Sequence, residues 1–127
     1  MKRINIGSGS IWEDKVGYSR GVKTGNIIEI AGTTAVKNGE IVGIKDPYIQ
    51  TKFILEKISA VLKKLGSGME DVTRTRIYVT DIDNWEQIGC AHAEFFKDIK
   101  PVATMVEVSS LIDKDLLVEI EVTAYVI

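Results

Sequence analysis

The stretch Pro101-Val102-Ala103-Thr104-Met105-Val106-Glu107-Val108, followed after a loop by Leu117-Val118-Glu119-Ile120-Glu121-Val122, decides the reading of the fold. Alternation at period two marks a strand with one buried face. It puts Leu116, Val118, Ile120, Val122, Ala124 and Val126 on one side and Leu117, Glu119, Glu121, Thr123 and Tyr125 on the other. The earlier run separates Val102, Thr104, Val106 and Val108 from Ala103, Met105 and Glu107. Paired as a β-hairpin, the two strands bring Glu107, Glu119 and Glu121 onto one mixed face. Carboxylates crowded in this way need solvent or cations.

Outward from this hairpin the chain alternates strands and helices. A first strand near Lys2 to Ile6 leads through Gly7-Ser8-Gly9-Ser10 into Tyr18 to Lys23. Thr24-Gly25-Asn26 reads as a hairpin turn into a strand from Ile27 to Thr33, and Asn38-Gly39 marks another turn. Asp46-Pro47 starts a helix, with Asp to cap free amides and Pro suited to the first position. Ile49, Phe53, Ile54, Ile58, Val61, Leu62 and Leu65 recur at helical spacing until Gly66. Val72 to Val79 is a strand carrying Val72, Arg74, Arg76 and Tyr78 on one face and Thr73, Thr75, Ile77 and Val79 on the other. Asp83 and Glu86 have the spacing of a capping box and open a second helix through Phe96, with Trp85, Ile88, Ala91 or His92, Phe95 and Phe96 as its stripe. The order β-β-β-α-β-α-β-β predicts an α/β (α+β) two-layer sandwich, a mixed sheet with both helices on one face. The other face then carries Arg74, Arg76, Glu107, Glu119 and Glu121 beside Met105, Leu117 and Tyr125, a mixture that predicts self-association.

Composition bounds the function. The 127 residues suit a single domain. A net charge of −2, with Lys and Arg interspersed among Asp and Glu, argues against nucleic acid as the main partner. Cys90 is the only cysteine, so no internal disulfide forms, and no apolar run approaches the ~18 residues of a membrane span. The start of the chain is too polar before Trp12 for a signal peptide, so a cytoplasmic location is expected. One His and one Cys make no zinc site, and nothing argues for a metal or organic cofactor. Cys90 and His92 stand at i, i+2 on a helix and point apart. Cys90 reads as an inert thiol and His92 as a helix-flank histidine.

Six segments together resemble one family across essentially the whole chain. They are Gly17-Tyr18-Ser19-Arg20-Gly21-Val22, Ile30-Ala31-Gly32, Val72 to Asp81, Phe95-Phe96, Pro101 to Val108, and Val118-Glu119-Ile120-Glu121. In this order and spacing they are similar to the RidA (YjgF, or L-PSP) proteins. The resemblance implies a chorismate-mutase-like fold and a homotrimer whose three sheets close a barrel, with small-molecule sites in clefts between subunits. It also implies hydrolysis of reactive 2-imino acids to 2-keto acids and ammonia. On that match the site residues are Glu119 as the catalytic carboxylate, with Tyr18, Gly32, Ala103, Thr104 and Met105 at ligand-binding positions.

Several of these positions depart from the family pattern. The substrate-clamping arginine falls on Ala103, the serine before the glycine on Ala31, the asparagine of the second helix on Gly89 and a frequent cysteine on Met105. Tyr18, the Gly32 backbone and Glu119 persist. Hydrolysis of an electrophilic imine needs a positioned water, a base and an anchor for the substrate. Glu119 can serve as base, but Ala103 cannot anchor a carboxylate. That contact is worth about 1.5 to 3 kcal/mol. Arg76 is the replacement cation the pattern offers, with Arg74 as its neighbour. The bland alternative for Arg76 is a cross-strand ion pair with Glu107, Glu119 or Glu121. Glu119 could equally be a structural acceptor and Tyr18 a packing group. Three functions stay open: an imine or enamine deaminase, a non-catalytic small-molecule-binding or regulatory trimer, and the endoribonuclease or translation inhibitor that family labels suggest. The last lacks a basic patch and a histidine pair.

Overall fold

The computed structural model describes residues 2–127. Its strands are β1 (Arg3–Ile6), β2 (Gly21–Thr24), β3 (Ile27–Thr33), β4 (Val36–Lys37), β5 (Glu40–Ile41), β6 (Val72–Val79), β7 (Val102–Glu107) and β8 (Val118–Tyr125). The helices are α1 (Ile11–Val16), α2 (Pro47–Lys64) and α3 (Trp85–Phe96). Asp46 accepts a hydrogen bond from the Ile49 amide at 3.0 Å and Pro47 takes the first position of α2, as expected. Its end is closed by amides of Gly66 and Ser67 donating back to the Lys63 and Leu62 carbonyls. On its inner face Ile54, Leu55, Ile58 and Leu62 are fully buried.

Six strands form one sheet in the order β1-β2-β3-β8-β6-β7. Neighbours are antiparallel except β6 and β7, which run parallel. Helix α2 lies against β3, β8 and its neighbour α3, giving the two-layer α+β sandwich expected. The expected hairpin is corrected: β7 and β8 are not partners, for β8 lies between β3 and β6 while β7 forms the edge. The connection over 108–117 exceeds the ~2–5 residues of a hairpin loop, and α3 supplies the crossover that parallel β6 and β7 require. Burial drives the same result. Val118, Ile120 and Ala124 are fully buried, which demands a central strand, whereas most of β7 is exposed.

The parallel register also reverses the expected faces of β7. Thr104 sits beside Arg76 and Met105 beside Ile77, and residues side by side in a ladder share a face. Met105 therefore packs against the core, while Val102, Thr104 and Val106 share the face of Arg76. Glu107 does not converge with the other carboxylates; it accepts from the Ile82 amide at 3.0 Å. In β6 a register shift between Val72 and Arg74 moves Val72 to the buried side. The start of the second helix differs as well. Asp81 caps a 3₁₀ turn at Ile82–Asn84 by accepting from the Asp83 amide, in place of an Asp83/Glu86 box, and Trp85 is exposed.

Two small elements were not expected. Ser10 caps α1 by accepting from the Trp12 amide, and Gly17 ends it in the left-handed region (φ 91°). Ser10 and Glu13 have the spacing of a capping box, which was the available signal. The Asn38-Gly39 turn joins β4 to β5 in a separate two-stranded ribbon.

Candidate functional site

Between Ile30 and Thr33 the pairing of β3 with β8 shifts register, and Gly32 sits in that irregularity. A side chain on Gly32 would overlap Oε2 of Glu119, so the carboxyl group lies directly over a backbone that only glycine leaves open. Alternation along β8 supplies the other half of this placement. Val118 and Ile120 point into the core, which forces Glu119 and Glu121 onto the helix-free face.

An arginine organises the ground beneath this carboxylate. Arg20 donates from Nη2 to the Gly32 carbonyl at 3.0 Å, and its own carbonyl accepts from the Ala31 amide. Its Nε lies 3.8 Å from Oε2 of Glu13, and its guanidinium sits 5.6 Å from the centre of the Tyr18 ring. Glu13 accepts from the Ser8 hydroxyl and amide, bonds that hold its carboxyl below the ordinary range despite its enclosure. Arg20 thus connects Tyr18 to the Gly32 backbone, and its charge acts on Glu119. Sequence reasoning gave it no role, although Tyr18 and Arg20 are two residues apart and so share a side of an extended segment.

Burial pushes the Glu119 carboxyl above its ordinary value of 4.5; the Arg20 charge opposes the rise and Glu121 adds to it. Across the ladder Tyr78 stands opposite Glu119 and donates its hydroxyl to Oε1 of Glu121. That bond raises the Tyr78 phenol above its ordinary value. The three side chains and Gly32 line an open cleft of about 540 Å³ together with Val108 and Ser110 to Ile112 of the loop after β7.

The sequence-derived positions divide into three groups. Glu119 and Gly32 are in contact in the cleft, with Tyr18 joined to them through Arg20 and itself 40% exposed. Arg76 and Thr104 are neighbours on the same sheet face but outside the cleft lining. Ala103 and Met105 lie on the helix side of the edge strand, Ala103 beside Thr75. Arg76 is exposed and in register with Glu121, and among the described residues the one ion pair within 4.0 Å is Arg20–Glu13. His92 packs on Phe96, with ring centres 4.7 Å apart, and shares a hydrogen bond with Thr75, consistent with a helix-flank role; Cys90 is exposed. Among the described residues no three His, Cys, Asp or Glu side chains group as a metal site would need, and no helix is long and apolar enough to cross a membrane.

Comparison with known proteins agrees with this architecture. The structure of Rv2704 from Mycobacterium tuberculosis, a member of the YjgF/YER057c/UK114 family, superposes with a TM-score of 0.90 at 46% identity, over 98% of this chain and 100% of that one. The uncharacterized protein SCO2049 of Streptomyces coelicolor is 38% identical over 120 residues, 94% of this chain and 90% of its own length. The RutC family protein PH0854 of Pyrococcus horikoshii is 41% identical over 112 residues, 85% of this chain and 86% of its own. A family model described as endoribonuclease L-PSP matches residues 12–126, a span that includes every residue of the site from Glu13 to Glu121. The chain therefore belongs to the endoribonuclease L-PSP family, the grouping that also carries the YjgF and RutC names.

Proposed function

We propose that this cleft hydrolyses a small imine or enamine to a carbonyl compound and ammonia, with Glu119 as the general base. The observation that carries the reading is the Glu119 carboxyl itself, half-buried over Gly32 and raised in pKa by that burial. A carboxylate taken partly out of water accepts a proton from an attacking water more readily than an exposed one, and can return it to the departing nitrogen. Tyr78 and Ser110 add hydroxyls at the cleft wall that can orient the water. A phosphodiester fits poorly, because its charge would meet Glu119 and Glu121.

We also place a homotrimer within this proposal. The helix-free face exposes Ile27, Val102, Val106 and Tyr125, and the cleft is open on that side. Closing this face against further copies would bury the apolar groups and shield the carboxylates.

The test is the rate at which purified protein accelerates hydrolysis of imines generated in situ, beside Glu119→Ala. A general base contributes about 10²- to 10⁴-fold, so the variant should lose at least about a hundredfold in kcat/KM. Equal rates in both proteins would end the general-base assignment. No acceleration by the wild type across a panel of imines, with small molecules still bound, would move the cleft to a binding role.

A further inference from the structure

The charges around the cleft select among imines. In one copy of the chain its lining presents two carboxylates, Glu119 and Glu121, and no side-chain cation. Nearby cations are turned to other work. Arg20 is committed to the Gly32 carbonyl and Glu13 and stacks near Tyr18, with only 17% of its side chain exposed. Lys57 donates its ammonium to the Thr34 and Val36 carbonyls on the helix side of β3. Arg76 stands outside the lining, exposed on the strand beside Glu121. A substrate carboxylate entering here finds two like charges and, from the copy that supplies Glu119, no cation on the wall, whereas an iminium N–H finds two acceptors.

Building on the deaminase reading, we infer that the imine taken by this cleft is cationic or neutral and lacks a carboxylate: the kind of imine released when an amine, rather than an amino acid, is oxidised. The reaction balances without any redox partner. Water adds through oxygen to the iminium carbon as the C=N electron pair moves to nitrogen, and Glu119 takes the water's proton. The carbinolamine nitrogen receives that proton; Glu119 then takes the hydroxyl proton as the O–H pair forms C=O and the C–N pair leaves on nitrogen, and it passes this proton to the released ammonia: R₂C=NH₂⁺ + H₂O → R₂C=O + NH₄⁺. Glu121, held by the Tyr78 hydroxyl, faces the positive nitrogen and acts as a specificity residue.

A matched pair of substrates tests this. L-amino-acid oxidase acting on leucine supplies the 2-imino acid, and a flavin amine oxidase acting on isopentylamine supplies the same side chain without the carboxylate. The expected result is a kcat/KM at least about tenfold higher for the amine-derived imine, with Glu121→Gln narrowing the ratio severalfold and Arg76→Ala leaving it in place. A preference for the 2-imino acid overturns the inference, and its loss in Arg76→Ala would identify Arg76 as the anchor. Calorimetric binding of isopentylammonium and of 4-methylpentanoate separates this inference from the deaminase reading. If neither imine is turned over, tighter binding of the ammonium still supports the charge selection. Equal or tighter binding of the carboxylate overturns it.

Discussion

The two faces of the six-stranded sheet are built from the same strands and do opposite work. On the helix side, Ile28, Val79, Val118 and Ile120 are fully buried, and the buried polar groups Gln50, Thr51 and Thr75 all have hydrogen-bond partners. On the open side, Glu119, Glu121 and Tyr78 remain half-exposed, and one carboxyl is raised in pKa. Burial with every polar atom satisfied favours a stable layer. Partial burial of a carboxylate costs stability while it is ionised, and ionisable groups perturbed in this way concentrate at functional sites. Because strand side chains alternate, β8 serves both layers with adjacent residues.

That adjacency gives the sharpest way to break the comparison. Ile120→Ala should cost about 2–5 kcal/mol of stability, the usual range for emptying a fully buried aliphatic site, while activity per folded molecule stays near wild type. Glu119→Gln, one residue away, should remove activity and leave the fold as stable or more so. The sign follows from the raised carboxyl: protonated Glu119 favours the fold below the ordinary value of 4.5, and that contribution is lost as pH rises through the folded value. At pH 8 the glutamine should therefore unfold at the same or a higher urea concentration. A loss of stability in Glu119→Gln, or of specific activity in Ile120→Ala, would merge the two layers.

How far the sequence reveals these layers depends on whether the signal is local. Asp46-Pro47 and Gly66 bound α2 because caps act within one turn, and the split of β8 between core and cleft follows from its own alternation. The partner of β7 was not legible from β7 itself, since pairing is set by the α3 crossover and by which strand must be central. With the wrong partner came the wrong face for Thr104, Met105 and Glu107. In the candidate site, Glu119, Gly32 and Tyr18 were reached through resemblance, and Glu119 and Gly32 meet in the cleft. Arg20 was not, because its role arises from a register shift that brings Gly32 within its reach.

The loop lining the cleft tests whether the stable layer reaches into the candidate site. Gln50, fully buried in α2, donates to the Gly43 and Asp115 carbonyls at 3.1 and 3.0 Å and accepts from the Leu117 amide at 2.8 Å. It thereby fastens the C-terminal end of the loop whose Ser110, Leu111 and Ile112 line the cleft with the carboxylates. Gln50→Leu fills similar space but orphans these backbone groups, at about 1–3 kcal/mol for a buried unsatisfied group. Faster hydrogen exchange over 113–117 is expected, together with a raised KM. Unchanged exchange there would show the loop to be held by its own turn, in which Asp113 accepts from the Asp115 amide.

The smallest expected effect concerns pH, and it too separates the faces. Burial lowers the His92 pKa from its ordinary 6.5, so the folded protein keeps the ring neutral where the unfolded chain would protonate it. The stability this group protects is complete above about pH 6.5 and is lost as pH falls toward the folded value. Glu119 on the other face has the opposite sign, favouring the fold as pH falls. The two slopes partly cancel in the wild type, so the comparison belongs in the Glu119→Gln background. There, His92→Gln keeps a hydrogen-bonding group near Thr75 but does not titrate, and its urea midpoint should fall less between pH 7 and pH 5. Equal slopes with and without the imidazole would mean that the fold does not hold His92 neutral and that the ring contributes nothing to acid sensitivity in that window.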